Sequence, residues 1–329
     1  MDLRSVSREF ASADDRRAWF ELAWTIGLYV LAVVVALSYI GTWGVMLPAM
    51  AVAAAMGLRV YMIQHDCLHR SFFKRRETND LVGTLLSPIS MTPYKCTRYI
   101  HNLHHTHVSD LDRRDTFEID VMTLKEWEAA SPGQRLYYRL YRSPLTLIIL
   151  GPFVLYTVFR RLPLRAVKQA GWMDIVIHNG LLAAYLLAIY AYAGWAGLGV
   201  WLGIVYLACA FGALIPYVVH NFEHIHWGVK PELDFETAAL RGASVLDWGA
   251  LFDVVTMNIG YHDLHHLNAK IPGYKLKAAH RKLERLGLLQ SQKIGFIEGI
   301  LCLRWKLYDE DAGRMIRFPK SGATATATA

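Results

Sequence analysis

Twelve of the fourteen histidines in this 329-residue chain lie in four short clusters. Imidazole is the side chain that most often binds metal ions in proteins, including iron, zinc and copper. Residues three and four positions apart lie on one side of a helix, so the spacing within the clusters brings imidazoles together. The clusters are His65 and His69; His101, His104 and His105, with His107 just after them; His220, His224 and His226; and His262, His265 and His266. They contain more ligands than one ion can use, which predicts a site for two metal ions.

Apolar segments flank the clusters and must position them. With 54% hydrophobic residues, the chain is more apolar than a typical soluble protein. The most apolar stretches are residues 22–40 and 45–63, joined by Gly41-Thr42-Trp43-Gly44, and residues 173–193 and 197–219, joined by Gly194-Trp195-Ala196. Each stretch has about 20 residues and so reaches across a hydrocarbon core of about 30 Å. The sequence therefore predicts four transmembrane helices arranged as two hairpins.

The basic residues predict how the hairpins are oriented. The net charge is +7, and neither tight link contains lysine or arginine. Because basic segments of membrane proteins stay on the cytoplasmic side, residues 1–20, 64–171 and 227–320 are predicted to be cytoplasmic. Two histidine clusters follow directly after predicted spans, so all four clusters can converge on this side, just outside the bilayer. This distribution explains the positive charge without a nucleic-acid partner.

The predicted fold class is an all-α integral membrane protein, with four transmembrane helices and a cytoplasmic helical cap that carries the histidines. Residues 1–320 are expected to form one domain, and the low-complexity tail 321–329 is expected to be disordered. Two shorter apolar stretches, 81–94 and 144–159, contain prolines and are interpreted as interfacial or re-entrant. The second is an alternative fifth span, but an odd number of spans would place the histidine clusters on opposite sides.

In these motifs the chain resembles the membrane fatty acid desaturase family, from about His65 to Leu276. The family has three histidine boxes, H-x3-H, H-x2-H-H and H-x2-H-H, which match the first, second and fourth clusters. The sequences HDC at 65–67, LDRR at 111–114 and IPGYKL at 271–276 look like the branch that acts toward the methyl end of acyl chains, the omega-6 or delta-12 type. The resemblance therefore implies a desaturase of that branch.

The resemblance also implies a non-haem di-iron centre bound by histidines. The implied ligands are His65, His69, His101, His104, His105, His224, His262, His265 and His266. His220 is the alternative to His224, which is favoured because related alkane-hydroxylating proteins have a ligand at the matching position. Asp66, Glu223 and Asp263 are interpreted as further ligands or as acceptors of a ligand's second ring N–H, with helix-surface charge as the alternative. No catalytic residue is predicted beyond the metal centre.

Such a centre suits the oxidation of an unreactive hydrocarbon. A methylene hydrogen is not acidic, so its removal requires a strong oxidant that only a cofactor supplies. The resemblance implies O2-dependent desaturation of a fatty acyl lipid that reaches the site from the membrane. It also implies an external electron donor of the ferredoxin or cytochrome b5 type, and an acidic donor would suit the basic cytoplasmic surface.

Other functions fit parts of the same pattern. Hydroxylation or ketolation of a lipid, alkane or carotenoid would use nearly the same ligands, and product analysis distinguishes it from desaturation. A zinc hydrolase would explain His65 and His69, but Asp66 replaces the usual glutamate and the other clusters would have no role. A metal transporter would need ionisable ligands near the middle of the bilayer, where only Asp174 and His178 come close.

Overall fold

The computed structural model describes residues 2–116, 120–162 and 164–319, and most of them are helical. The expected disordered tail, 321–329, lies outside the described residues. In chain order the α-helices are α1 (Leu3–Phe10), α2 (Asp15–Ser38), α3 (Trp43–Leu68), α4 (Arg76–Leu85), α5 (Ser87–Ser90), α6 (Tyr94–Thr106), α7 (Leu124–Ala129), α8 (Pro132–Tyr141), α9 (Gly151–Thr157), α10 (Leu164–Ala170), α11 (Trp172–Val219), α12 (Phe235–Arg241), α13 (Ala250–Val255), α14 (His262–Leu267), α15 (Gly273–Arg285) and α16 (Phe296–Leu301). Short 3-10 or π turns occur at Leu111–Thr116, Leu145–Leu150, Phe159–Arg161 and Cys302–Arg304.

Short strands pair segments that are far apart in the sequence. They are β1 (Met122–Thr123), β2 (Val245–Asp247), β3 (Lys293–Gly295), β4 (Leu307–Asp309) and β5 (Arg314–Ile316). β4 lies between β1, which runs parallel to it, and β5, which runs antiparallel. β2 and β3 form a separate parallel pair. The fold is thus helical with two small sheets that tie the C-terminal region to earlier segments.

Three of the described helices are long and apolar enough to cross a membrane, namely α2, α3 and α11. The predicted spans 22–40 and 45–63 coincide with α2 and α3, each of which is longer than predicted at the end near the histidines. A further pair, α8 and Leu145–Arg161, passes the same test only if its members are taken together, and they meet at 52°. The stretch 144–159, interpreted as interfacial or re-entrant, lies mostly in this bent pair.

Helix α11 contains both remaining predicted spans, and its direction reverses at Gly194. Gly194 has φ 59° and ψ −153°, a conformation that glycine adopts readily because it has no Cβ. Before this turn, the Tyr185 hydroxyl is 2.7 Å from the hydroxyl of Tyr29 in α2. After it, Gly212 lines one cavity together with Tyr29 and Leu58. Residues 185 and 212 therefore lie at a similar level, whereas a straight helix would separate them by about 40 Å. α11 consists of two antiparallel limbs.

The hairpin of α2 and α3 contains one buried ion pair. Arg59 is the only charged residue between positions 22 and 63, and its guanidinium pairs with the buried carboxylate of Glu21. Its Nε also donates to the hydroxyl of Thr25 at 2.9 Å. A buried charge is tolerated when it is paired and hydrogen-bonded, so this contact explains how α3 accommodates an arginine.

The ends of α3 and α11 lie together and carry histidines. α3 ends at Leu68 and α11 at Val219, and the residues that cap them are His69 and His220. We call this region the histidine end of the molecule. Helices α6 and α14, which carry the other histidine boxes, also pack there, so the long helices position one face of the site and the short helices close it.

Helix α6 is anchored at its start by a side chain from α11. Its N-cap residue is Pro93, which has no side-chain oxygen to accept the first free N–H groups. The carboxylate of Asp174 replaces it, accepting the N–H of Lys95 at 3.0 Å and that of Cys96 at 2.9 Å. Asp174 therefore has a structural partner, which accounts for an acidic residue at the edge of an apolar helix.

Candidate metal centre

The three histidine boxes lie on helices that converge at the histidine end. Box 1 lies at the end of α3, with His65 in its last turn and His69 as its C-cap. Box 2 is in the second half of α6, and box 3 forms most of α14. Together with one further histidine they form two groups, and within each group one ligand atom per residue lies within 4.8 Å of the others. The first group is His65, His69, His101, His105 and His265, and the second group is His104, His220, His262 and His266.

Helical spacing explains how a box supplies both groups. His101 and His105 are one turn apart on α6, and both belong to the first group. His104 is about 100° from His105 around the helix axis, so it points to the second group instead. Box 3 divides in the same manner, with its two outer histidines in the second group. The H-x2-H-H pattern is therefore suited to two adjoining sites.

The distances between ring nitrogens fit ligands arranged around one ion in each group. In the first group, the Nε2 of His101 is 2.9 Å from that of His69 and 3.1 Å from that of His105. In the second, the Nε2 of His220 is 3.2 Å from those of His262 and His266. Two nitrogens bound at right angles to a metal ion about 2.1 Å away would be about 3.0 Å apart.

Burial keeps these rings in the neutral form that binds metal. The pKa is lowered well below its ordinary value, first by burial and then by neighbouring imidazoles, for His69, His101, His104, His105, His262, His265 and His266. Burial also lowers the pKa of His220 to about 4, although its hydrogen bond to Gly242 acts in the opposite direction. Neutral imidazoles whose nitrogens face one another suit cations such as iron, so the donor set fits two metal ions.

The two groups are in direct contact. The rings of His105 and His266, one from each group, are stacked with their centroids 4.2 Å apart. His104 of the second group also packs against His105, with ring centroids 5.6 Å apart. Two ions held by these groups would therefore be neighbours in a single centre.

The structure places His220, and not His224, in the second group. The Nδ1 of His220 donates to the carbonyl oxygen of Gly242 at 2.8 Å, which leaves its Nε2 facing the other imidazoles. His224 is exposed and belongs to neither group. Of the two candidates for the ninth ligand, His220 is therefore the one that lies with the histidines of the boxes, whereas His224, the expected one, does not. The sequence signal for His220 is its position directly after an apolar helix, which it shares with His69.

Of the acidic residues beside the boxes, Asp66 is nearest to a ligand. Its Oδ1 is 3.7 Å from the Nδ1 of His65, and its Oδ2 accepts the backbone N–H of Gly273 at 2.6 Å. A Cβ at position 273 would lie only 2.4 Å from the carbonyl oxygen of Met257, so glycine is required there. Asp66 thus connects box 1 to the IPGYKL motif, a contact that the sequence alone does not indicate.

The described side-chain contacts of Asp263 and Glu223 are with residues outside the two histidine groups. Asp263 is buried and accepts a hydrogen bond from the Ser291 hydroxyl, which is also 2.9 Å from the Nε2 of His280. This network ties α14 to α15 and gives a role to His280, which lies outside the four clusters. Glu223 is 3.5 Å from a guanidinium nitrogen of Arg314. Neither carboxylate contacts a member of the two groups through a described hydrogen bond.

Comparison with known proteins identifies the family. The model of the fatty acid desaturase family matches residues 41–296. The chain belongs to the fatty acid desaturase family. A fatty acid desaturase of Bacillus subtilis is 32% identical over 268 residues, which cover 81% of this chain and 76% of that protein. This membership confirms the resemblance drawn from the histidine boxes and makes the chain a desaturase enzyme.

Two further relatives belong to the methyl-end branch. The chloroplastic omega-6 fatty acid desaturase of Spinacia oleracea is 27% identical over 328 residues, covering 97% of this chain and 71% of that protein. The sn-1 oleoyl-lipid 12-desaturase of Synechocystis is 25% identical over 316 residues, covering 86% of this chain and 80% of that protein. The prediction that this chain resembles enzymes of the omega-6 or delta-12 type is thereby confirmed, since relatives with those names are similar to it.

A mostly apolar cavity of this desaturase leads from the histidines into the bundle of long helices. It has a volume of about 120 Å³, and its wall includes His104 and His262. A second cavity of about 40 Å³ lies farther from the histidines, between α2, α3 and α11. Tyr61, Tyr156 and Gly212 line both cavities. The two cavities therefore adjoin, and the first contacts the histidines while the second lies deeper among the long helices.

Proposed function

We propose that this protein desaturates a fatty acyl chain of a membrane lipid toward its methyl end, with O2 as co-substrate. The observation that carries this proposal is the pair of adjoining cavities, of which the first contacts histidines of both groups and the second lies between the long helices. Cavities whose walls are mostly apolar suit a flexible hydrocarbon chain. Similarity to relatives named omega-6 fatty acid desaturase and oleoyl-lipid 12-desaturase supports the methyl-end direction.

Two iron ions held by the two histidine groups would supply, with O2, the oxidising power that unactivated C–H bonds require. The residues of the chain bind and align the substrate. Tyr61, Tyr156 and Gly212 would surround the acyl chain where the two cavities meet, while His104 and His262 would lie beside the carbons that lose hydrogen. Burial of the histidines limits the access of water to this region.

We further propose that α2, α3 and the two limbs of α11 are four membrane crossings, with both termini and the histidine end in the cytoplasm. The turns at Gly41 and Gly194 lie at the opposite end and contain no lysine or arginine. Apart from Arg59, the basic residues lie within positions 1–17, between α3 and α11, and after α11, and such segments remain cytoplasmic. An electron donor of the ferredoxin or cytochrome b5 type would then reach the site from the cytoplasm.

Lipid analysis of a host without desaturases of its own tests the proposed reaction. The host would express this chain with a ferredoxin and its reductase, and we expect new double bonds in its acyl lipids. The control is the double variant His104→Ala, His105→Ala, which removes one histidine from each group. Products that persist in this control would contradict the assignment of the site.

The identity of the product and of the metal separates the remaining alternatives. A hydroxylated or ketonic lipid would keep the centre but replace desaturation with another oxidation. Two iron ions per purified chain would support the proposed centre, whereas a single zinc ion would overturn it.

A further inference from the structure

Each histidine box brings a cation to the same part of the surface. Arg70 directly follows box 1, Arg98 precedes box 2 by three residues, and Lys270 follows box 3 by four. The Nε of Arg98 donates to the carbonyl oxygen of Leu68 at 3.1 Å. The Nζ of Lys270 donates to the carbonyl oxygen of His69, at 2.5 Å. These cations therefore surround the end of α3, immediately beside the first histidine group.

The positive charge at this place is only partly balanced. Arg76, the exposed first residue of α4, is one helical turn from Asp80, the residue of α4 that pairs with Arg70, and so adds a fourth cation. We call Arg70, Arg76, Arg98 and Lys270 the box patch. Arg70 pairs with Asp80 at 2.6 Å. No carboxylate in the described part of the chain pairs with the other three.

Capping of α3 explains only part of the box patch. Basic side chains near the C-terminus of a helix stabilise its last carbonyl groups, and Arg98 and Lys270 do so through one donor each. Arg76 makes no described side-chain hydrogen bond, and it is exposed at the opposite end of a different helix. The remaining charge is available to an anionic partner.

We propose that the box patch is the docking surface for a small acidic protein that carries one electron at a time. This inference rests on the proposed desaturation, whose stoichiometry requires such a carrier. Removal of two hydrogens from the acyl chain provides two electrons and two protons, whereas reduction of O2 to two water molecules needs four of each. The carrier supplies the other two electrons in two steps, and solvent supplies two protons.

The location of the box patch suits this role. Lys270 lies over the backbone of His69, which belongs to the first histidine group. His101 and His105 of the same group are only partly buried. A carrier docked here places its redox centre next to that group. A patch of one sign also speeds the encounter with an oppositely charged protein, and salt weakens this effect.

Arg76→Glu is the most informative variant because it changes the charge without disturbing the histidines. Arg76 is the first residue of α4, where the helix dipole favours an acidic side chain, so the variant should fold. Lys270→Gln removes a second charge but retains an amide that can donate to the carbonyl oxygen of His69. The control is Lys125→Glu, which reverses an exposed cation in the first turn of another helix, α7. Lys125 is outside the box patch and pairs with Asp311 at 2.8 Å.

Binding is measured first, with a plant-type [2Fe-2S] ferredoxin and the full chain in lipid nanodiscs, because this readout does not depend on turnover. We expect Arg76→Glu and Lys270→Gln to raise the Kd for ferredoxin by roughly three- to tenfold at low ionic strength, and less at high salt. The Kd of Lys125→Glu should equal that of the unaltered protein. Turnover driven by reduced ferredoxin should show the same rise in KM, whereas turnover driven by dithionite should be unchanged.

Each alternative outcome has a definite meaning. An unchanged Kd in both variants overturns the inference, as does a parallel loss of ferredoxin- and dithionite-driven turnover. If the variants instead lose affinity only for vesicles that contain anionic phospholipid, the box patch contacts the membrane and not a carrier. Absence of any desaturation by the unaltered protein would contradict the proposed function, while the binding result would still decide the docking surface.

Discussion

The two nitrogens of a ligand imidazole have separate roles, since one faces the metal site and the contact of the other fixes the ring. His220 has this arrangement, with its Nδ1 bonded to the carbonyl of Gly242 and its Nε2 among the histidines of the second group. His224 is only four positions away but lies at the surface. This contrast allows the two candidates for the ninth ligand to be tested directly.

Replacing His220 with alanine should remove one ligand of the second group. We expect the iron content of the purified protein to fall by about half, because only one of the two groups is altered. Activity should fall by at least about a hundredfold, since even the loss of a partner behind a ligand weakens metal binding 10- to 100-fold. His224→Ala is the matched control and should retain both iron and activity. The iron content is measured by elemental analysis and the activity by product analysis. Loss of iron and activity in His224→Ala, but not in His220→Ala, would make His224 the ninth ligand.

At the scale of secondary structure, the site depends on contacts that hold short helices in place. Helix α6 carries the whole of box 2 and has only 13 residues, and its N-cap residue is a proline. An isolated helix of this length is marginally stable. The carboxylate of Asp174 satisfies two of its first N–H groups and joins it to α11, so a residue distant from the histidines helps to fix the orientation of three of them.

Asp174→Ala should therefore disturb the metal centre, although Asp174 belongs to neither histidine group. Two backbone N–H groups would lose their acceptor, that of Lys95, which is partly buried, and that of Cys96, which is buried. A buried donor left unsatisfied costs about 1–3 kcal/mol, and a partly buried one costs less. We expect a lower melting temperature and a lower iron content in the purified protein. Asp174→Asn retains one oxygen that can accept a hydrogen bond. Its melting temperature and iron content should therefore lie between those of Asp174→Ala and those of the unaltered protein. If Asp174→Ala has the iron content and melting temperature of the unaltered protein, the proposed anchoring of α6 is wrong.

Different elements were predictable from the sequence to different degrees. The apolar stretches that became α2, α3 and α11 are long and compositionally distinct, and Gly194 marks the turn because few other residues adopt its conformation. The histidine boxes have helical spacing, which brings their rings together once the helices form. The contacts of Asp66 with Gly273 and of Asp174 with α6 were not predictable, because they join residues more than 75 positions apart. The paired strands are two or three residues long, too short to show a pattern.

At the scale of the whole molecule, the arrangement of the four proposed crossings can be tested by chemical labelling. All four native cysteines are buried, so a cysteine introduced on the surface should dominate the reaction with a membrane-impermeant maleimide. Thr42→Cys and Trp195→Cys lie at the two turns, and we expect both to react in intact cells. Arg285→Cys, at the end of α15, should react only after the membrane is permeabilised. Labelling of the two turns from opposite sides would indicate an odd number of crossings.

If the acyl chain occupies both cavities, as we propose, their junction would limit the length of the chain. Gly212 lines both cavities, and a Cβ at this position would lie 3.3 Å from the Cδ1 of Leu58 in α3. A larger side chain there must either fill the junction or displace α3. Gly199 is on the same limb of α11, but no atom lies within 4 Å of the Cβ that it would gain. Leucine at Gly212 would obstruct the junction of the cavities, whereas leucine at Gly199 would only change the same limb of α11. Comparing the two variants therefore distinguishes obstruction from a general effect on the helix.

Gly212→Leu should shift the products toward shorter acyl chains. A leucine at the junction would close the deeper cavity, so the methyl end of a long chain would have no space beyond the second histidine group. Each methylene that a pocket cannot accommodate changes relative specificity about tenfold or more. Because an 18-carbon chain has two more methylenes than a 16-carbon chain, the ratio of 16-carbon to 18-carbon products should rise by roughly a hundredfold. Gly212→Ala should have a smaller effect, and Gly199→Leu should have none. The ratio is measured by gas chromatography of fatty acid methyl esters from cells supplied with both substrates. If Gly212→Leu retains full activity and an unchanged ratio, the acyl chain does not occupy the deeper cavity and must follow another path to the histidines.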